Sequence, residues 1–152
     1  MSTISLATRA PLFDRLLGVG DGFEVEQRMD SSGLRISLAR DISQLFSTRS
    51  HLTLAEFIRG DVTVLDYGLP DLCAMSPNSQ SDMDLMTEVI IKALQCFEPR
   101  LRQVGVTLTP EKSVPSAAHA SIIAAVILSG QALRVNFDIA FSASGALTLQ
   151  PS

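Results

Sequence analysis

Residues 81–108 read SDMDLMTEVIIKALQCFEPRLRQVGVTL, and within this stretch the spacing of the apolar residues switches from a helical to an extended period. Leu85, Met86, Val89, Ile90, Ala93, Leu94 and Phe97 recur every three to four positions and make one broad apolar face, which predicts a helix over 82–97. Ser81 stands at the expected cap position, with Asp84 three residues on in an imperfect capping box. Asp82 and Asp84 also suit the positive end of a helix. Pro99 ends the helix, because a residue preceding proline is pushed toward extended backbone. Beyond it the period is two, and Leu101 to Leu108 predicts a strand. Glu98-Pro99-Arg100 is therefore the corner at which the clearest helix meets a sheet, and rigid elements of that kind carry binding sites well.

Downstream, the period of two persists. Ala120–Leu128 predicts a second, mostly apolar strand. Leu133, Val135, Phe137, Ile139 and Phe141 alternate with Arg134, Asn136, Asp138 and Ala140, the pattern of a half-buried strand. Ser129-Gly130-Gln131 offers a tight connection between these two, and Ser144-Gly145 another before a short last strand over 146–149. Upstream, Leu38, Ile42, Leu45 and Phe46 share one face of a helix predicted over 37–49, with Ser37 as its cap and Arg40 and Asp41 facing out. The segment between the two helices has no sustained period; Tyr67-Gly68-Leu69-Pro70 within it predicts a shaped turn. Near the start, Leu12, Phe13, Leu16 and Leu17 predict a short amphipathic helix. The polar, glycine-rich stretch 18–35 that follows reads as a flexible loop or linker, without the lysine-serine or lysine-threonine pair of a phosphate loop. Helices first and antiparallel strands last give an α+β class: N-terminal helices packed on a mainly antiparallel C-terminal sheet, in a single domain over 1–152.

Composition narrows the function classes. At 46% hydrophobic residues the 152-residue chain has enough apolar material for a core without disulfides or metal. A net charge of -4 gives no general electrostatic reason to bind nucleic acid or an anionic membrane, and one tyrosine with no tryptophan makes a poor base-stacking platform. Cys73 and Cys96 are far apart and read as reduced thiols. His51 and His119 belong to no metal-like spacing, so neither a metal nor another cofactor is expected. The opening MSTISLATRAPLFDRLLG lacks the basic and apolar segments of a secretion signal, and Ile122 to Leu128 is too short to span a bilayer as a helix. The chain is expected to stay where it is made.

Glu98 is the acid that most invites a catalytic reading. The negative end of a helix and partial burial would both favour its protonated form, as a glycosidase acid requires, and Asp66 or Asp71 offers the second carboxylate. Against this stands Arg100, two residues on, which can pair with Glu98 across the proline or engage a partner protein beside it. Asp41, Arg49, Asp66 and Asp71 read more simply as caps, loop-bonding groups or surface charges.

Three motifs, LARDISQLFSTR (38–49), VLDYGLPDL (64–72) and FEPRL (97–101), occur in an order and spacing that resemble the TssE family. These are type VI secretion baseplate subunits of the phage baseplate wedge, or tail lysozyme-like, family; LFDRLL near the start resembles their N-terminus. The resemblance implies a cytoplasmic, non-enzymatic component of the baseplate wedge, lying at the inner face of the membrane without inserting into it. Such a component docks on the other wedge subunits and helps sheath assembly to begin, with sheath proteins as further partners. Carried onto this sequence, it marks Glu98, Pro99 and Arg100 as partner-binding, and Asp66, Tyr67, Gly68, Leu69, Pro70 and Asp71 as shaping the loop beside that contact. The alternatives it leaves are a peptidoglycan-cleaving enzyme and the equivalent subunit of a phage-like contractile tail.

Overall fold

The structure, a computed structural model, describes residues 8–9, 12, 28–111, 117–142 and 147–151. It is α+β, with helices from the first part of the chain packed on a C-terminal antiparallel sheet. A two-residue antiparallel pair, β1 (Thr8–Arg9) with β2 (Arg28–Met29), precedes the first long helix. Of the amphipathic segment expected at 12–17 only Leu12 is described, helical and exposed. The remainder of that segment, residues 18–27 and the Ser144-Gly145 turn lie outside the described residues.

Helix α1 (Ser31–Ser47) begins earlier than its periodicity suggests. Asp30 caps it, its carboxylate accepting the Gly33 backbone N–H at 2.8 Å. Ser31-Ser32-Gly33, composed like a linker, thus becomes the first turn, and residues 31–35 are helical rather than loop. Ser37 is consequently not a cap but a buried residue in mid-helix. The helix stops at Ser47 rather than Arg49, and at its end the hydroxyls of Ser47 and Thr48 bond back to the carbonyls of Ser43 (2.7 Å) and Gln44 (2.8 Å). Thr48 then goes extended.

A short helix, α2 (Leu54–Arg59), opens with a capping box between Thr53 and Glu56. A 3-10 turn follows at Val64–Asp66, closed by a second box between Thr63 and Asp66. Helix α3 (Gln80–Phe97) is capped by Ser79, not Ser81; its hydroxyl accepts from Asp82 N at 3.4 Å. Met83, Met86, Val89, Ile90, Ala93 and Leu94 are buried, whereas Leu85 is exposed. Leu85 sits about a third of a turn from the centre of that face, which Met83 fills instead. Lys92 leaves α3 sideways and donates to the carbonyls of Ile58 and Gly60, both at 2.8 Å, closing the end of α2.

The sheet is a plain meander, β3 (Arg102–Pro110), β4 (Ala117–Leu128), β5 (Gln131–Ser142) and β6 (Leu147–Pro151), each pairing antiparallel with the next. Leu128 pairs with Gln131, so the connection is Ser129-Gly130 alone, with φ of 49° and 82°. Two positive φ values in a two-residue loop match the right-handed twist of the flanking strands. Along β4, Ala118, Ala120, Ile122, Ala124, Val126 and Leu128 face inward, and Val135, Phe137 and Ile139 do so on β5. All of these but Ala118 join Leu38, Ile42, Ile90 and Leu94 in one buried cluster, each large aliphatic contributing about 1.5–3 kcal/mol relative to exposure. Helix α3 lies along β3 and α1 along β6, which sets the α3–β3 corner over the flank of α1.

Candidate functional site: a guanidinium-centred corner

The corner is built from the end of α3. Glu98 is its C-cap, and its backbone N–H still donates to Leu94 O at 2.9 Å. Pro99 then turns the chain, and Leu101 N closes the turn on Glu98 O at 3.1 Å. Glu98 is only 6% exposed, while Pro99 is exposed. Arg100 folds back over the turn. Its Nε and Nη2 donate to the two carboxylate oxygens of Glu98, each at 2.6 Å, in a bidentate fork. The same Nη2 donates to Asp41 Oδ2 at 2.6 Å, and Nη1 reaches Ser37 Oγ at 3.3 Å. One guanidinium therefore ties the α3–β3 corner to α1. Asp41 in turn accepts from Arg40 at 3.2 Å.

Burial of Arg100 works against its charged form, but the hydrogen bonds and charges of Glu98 and then Asp41 outweigh it and raise its pKa. Just past this corner β3 carries an extra residue: Arg102 pairs with Ala125 and Gly105 with Ile123, and Gln103 takes a left-handed φ of 52°. Such a bulge re-aims a strand where it leaves the corner.

The Asp66 to Asp71 loop packs beside this cluster. The Tyr67 ring meets Phe97 edge-on, with centroids 5.2 Å apart. Burial, then the charges of Asp41 and Glu98, push the Tyr67 phenol above its ordinary pKa, which places it in the field of the Arg100 cluster. Leu69 pairs with the end of α1: its N–H donates to Thr48 O at 3.0 Å, and its carbonyl accepts from Ser50 N at 2.9 Å. Gly68 makes that approach with φ 119°, and a Cβ there would stand 2.6 Å from Thr48 O, so only glycine fits. Leu69 and Pro70 are buried.

The flanking acids face elsewhere. Asp66 accepts from Thr63 N (2.7 Å) and Thr63 Oγ1 (2.8 Å) and faces His51 Nε2 at 3.4 Å; Asp71 accepts from Cys73 N at 3.0 Å in an Asx turn. The Thr63 N–H, then its hydroxyl, hold Asp66 below its ordinary pKa, and Cys73 does the same for Asp71.

The structure thus joins Glu98 and Arg100 directly and brings Tyr67 to their side, while neither Asp66 nor Asp71 bonds to Glu98. The carboxylate that does share the site is Asp41, with Ser37 beside it. The sequence predicts Ser37 as a cap and Asp41 facing out; Ser37 is instead mid-helix because the helix starts at Ser31, and Asp41, half-buried, meets the Arg100 guanidinium because α1 lies against the corner. A signal was present: Ser37 and Asp41 are four apart, one polar strip along the edge of the Leu38–Ile42–Leu45 face. Among the described residues no group of three His, Cys, Asp or Glu side chains is placed to hold a metal, and both cysteines are free and exposed. No described helix is long and apolar enough to cross a membrane.

The family model for baseplate wedge protein gp25 matches residues 32–131, about two thirds of the chain and all of the corner just described. The chain belongs to the baseplate wedge protein gp25 family. No curated protein and no solved structure matches it. The matched span runs from the first turn of α1 to the hairpin between β4 and β5. That span holds nearly all of α1, the Asp66–Asp71 loop and the Glu98-Pro99-Arg100 corner.

Proposed function

We propose that this baseplate wedge family member is a non-enzymatic structural subunit of the type VI secretion baseplate, acting in the cytoplasm at the inner face of the membrane. In this role it docks on neighbouring wedge subunits and helps contractile sheath assembly to begin. Family membership over residues 32–131 carries the reading, and the three motifs that resemble TssE narrow it to the secretion machine. The corner suits a docking element. Pro99 is exposed on a turn whose backbone is already fixed, so a partner gains the contact without first ordering the loop. Glu98 and Arg100 lie beneath it and hold its shape, and Arg40 and Asp41 supply charge at its rim.

The peptidoglycan-cleaving alternative asks Glu98 to deliver a proton. Both of its oxygens accept from Arg100, so the carboxylate is committed to the bidentate fork that shapes the corner. The carboxylate sharing the site, Asp41, bonds to the same guanidinium rather than facing Glu98 across an open groove.

Co-expression with the wedge subunits encoded alongside the chain tests the reading. Wild type, Pro99→Ser and a folded Glu98→Ala/Arg100→Ala variant are compared by co-purification. Wild type is expected to carry its neighbours along, and both variants to lose them. Equal retention in all three keeps the wedge role but moves the contact off this corner. A wild type that binds no wedge subunit removes the role, and a muralytic assay then decides for the enzyme. Capture by phage-type tail subunits instead would assign the chain to a contractile tail.

A further inference from the structure

Val64 and Leu65 are each 85% exposed, the two most exposed large apolar side chains among the described residues. Their backbone is nevertheless closely held. Thr63 N and Oγ1 both donate to Asp66 Oδ2, Asp66 N returns to Thr63 O at 3.0 Å, and Leu65 N reaches Thr63 Oγ1 at 3.3 Å. The next residues are anchored too, Tyr67 on Phe97 and Leu69 on the end of α1. Two aliphatic side chains are thus displayed on a turn whose ordering entropy is spent during folding, which is how an association contact gains affinity. On a 3-10 turn, adjacent side chains diverge by about 120°, so the pair is shaped to straddle a ridge rather than to fill a single hole.

Beside the turn lies an open hollow between it and α2. Leu52 and Ala55 give it an apolar part; Glu56, Asp61 and Asp66 line it with three carboxylates against one cation, Arg59. Glu56 and Asp66 are locked in capping boxes, so they keep their charge in place and cannot swing away. An apolar ridge flanked by basic side chains complements this surface. A second copy of the chain does not: a two-fold contact would set these carboxylates against their own images, in a chain whose net charge is already -4.

We propose that Val64 and Leu65, with the adjoining acidic hollow, form a docking knob for a helix of another wedge subunit, apolar on its facing side and flanked by Lys or Arg. This rests on the baseplate reading but assigns a surface distinct from the Pro99 corner. The full-length chain is co-expressed with the wedge subunits encoded beside it, and affinity for the purified complex partner is titrated for wild type, Val64→Ser/Leu65→Ser and Asp61→Lys. Both serine positions are solvent-facing, so circular dichroism and melting temperature are expected to stay those of wild type. The double variant is expected to bind at least about 30-fold more weakly, from the loss of two buried aliphatics. Asp61→Lys and added salt are each expected to weaken binding further.

Undiminished binding by the double variant overturns the knob while leaving the baseplate role in place. Binding that ignores both salt and Asp61→Lys overturns the basic helix as occupant. A wild type that is dimeric alone, and monomeric as the double variant, makes the occupant a second copy. A wild type that binds no wedge subunit overturns the knob together with the reading beneath it.

Discussion

At the scale of single residues, the corner turns on one guanidinium shared by three partners. Arginine is suited to this because its planar fork meets both oxygens of Glu98 and still has donors for Asp41 and Ser37. Removing Arg100 alone strands Glu98, which is 6% exposed, as an unpaired buried charge. Arg100→Ala is therefore expected to cost about 3 kcal/mol in urea unfolding. Glu98→Ala/Arg100→Ala removes both charges together, and the remaining Asp41 is half-buried and keeps Arg40. The double variant is expected to be more stable than the Arg100→Ala single. If the double instead loses the sum of the two singles, the pair is uncoupled and the corner is held by packing alone. The comparison also tells whether loss of partner binding in the double variant reports the surface or the fold.

At the scale of elements, the clearest parts of the sequence were those whose burial follows one period. The change from 3.6 to 2 around Pro99, the alternation along β5 and the Leu38–Ile42–Leu45 stripe all give the right elements, because each packs one face on a common core. The ends were less legible. Asp30 starts α1 by accepting the Gly33 backbone N–H and the Ser32 hydroxyl on its carboxylate, and serine and glycine at that place are equally at home in a loop. The site was half legible for the same reason. Glu98 and Arg100 are close in sequence, whereas Ser37 and Asp41 reach them only once α1 is placed against the corner, a contact between residues far apart in the chain. Lys92 is another long-range tie: its two bonds reach from α3 to the end of α2. Lys92→Met keeps the aliphatic stem and removes those bonds, at an expected cost of about 1–2 kcal/mol. Hydrogen exchange should show the loss first in residues 54–60, while the β4–β5 pair keeps its protection. Equal acceleration in both would mean that α2 opens only with the whole domain.

At the scale of the whole molecule, four carboxylates are turned to the same use. Asp30, Glu56, Asp66 and Asp71 each close the start of a helix or turn. Hydrogen bonds from nearby backbone N–H groups and side chains hold all four below their ordinary pKa values: from Gly33 for Asp30, Thr53 for Glu56, Thr63 for Asp66 and Cys73 for Asp71. A carboxylate whose folded pKa lies below its unfolded one binds fewer protons when folded. Its contribution is complete above the unfolded value and is lost as pH falls through the folded one. For the aspartates that unfolded reference is 3.8 and for Glu56 it is 4.5, so stability should be level through neutral pH and fall on acidification below about 4. Asp66 is the one to isolate, since it fixes the Val64–Leu65 turn and its main bonds come from a single residue. Thr63→Ala removes the hydroxyl bond and leaves the Thr63 backbone donor in kind, narrowing the shift without abolishing it. Stability curves from urea titrations across pH should therefore separate wild type and Thr63→Ala by a constant amount at neutral pH, and draw together as Asp66 takes up its proton. If the gap stays constant down to pH 2, the hydroxyl contributes packing rather than charge stabilisation, and the turn displaying Val64 and Leu65 is held by its backbone bonds instead.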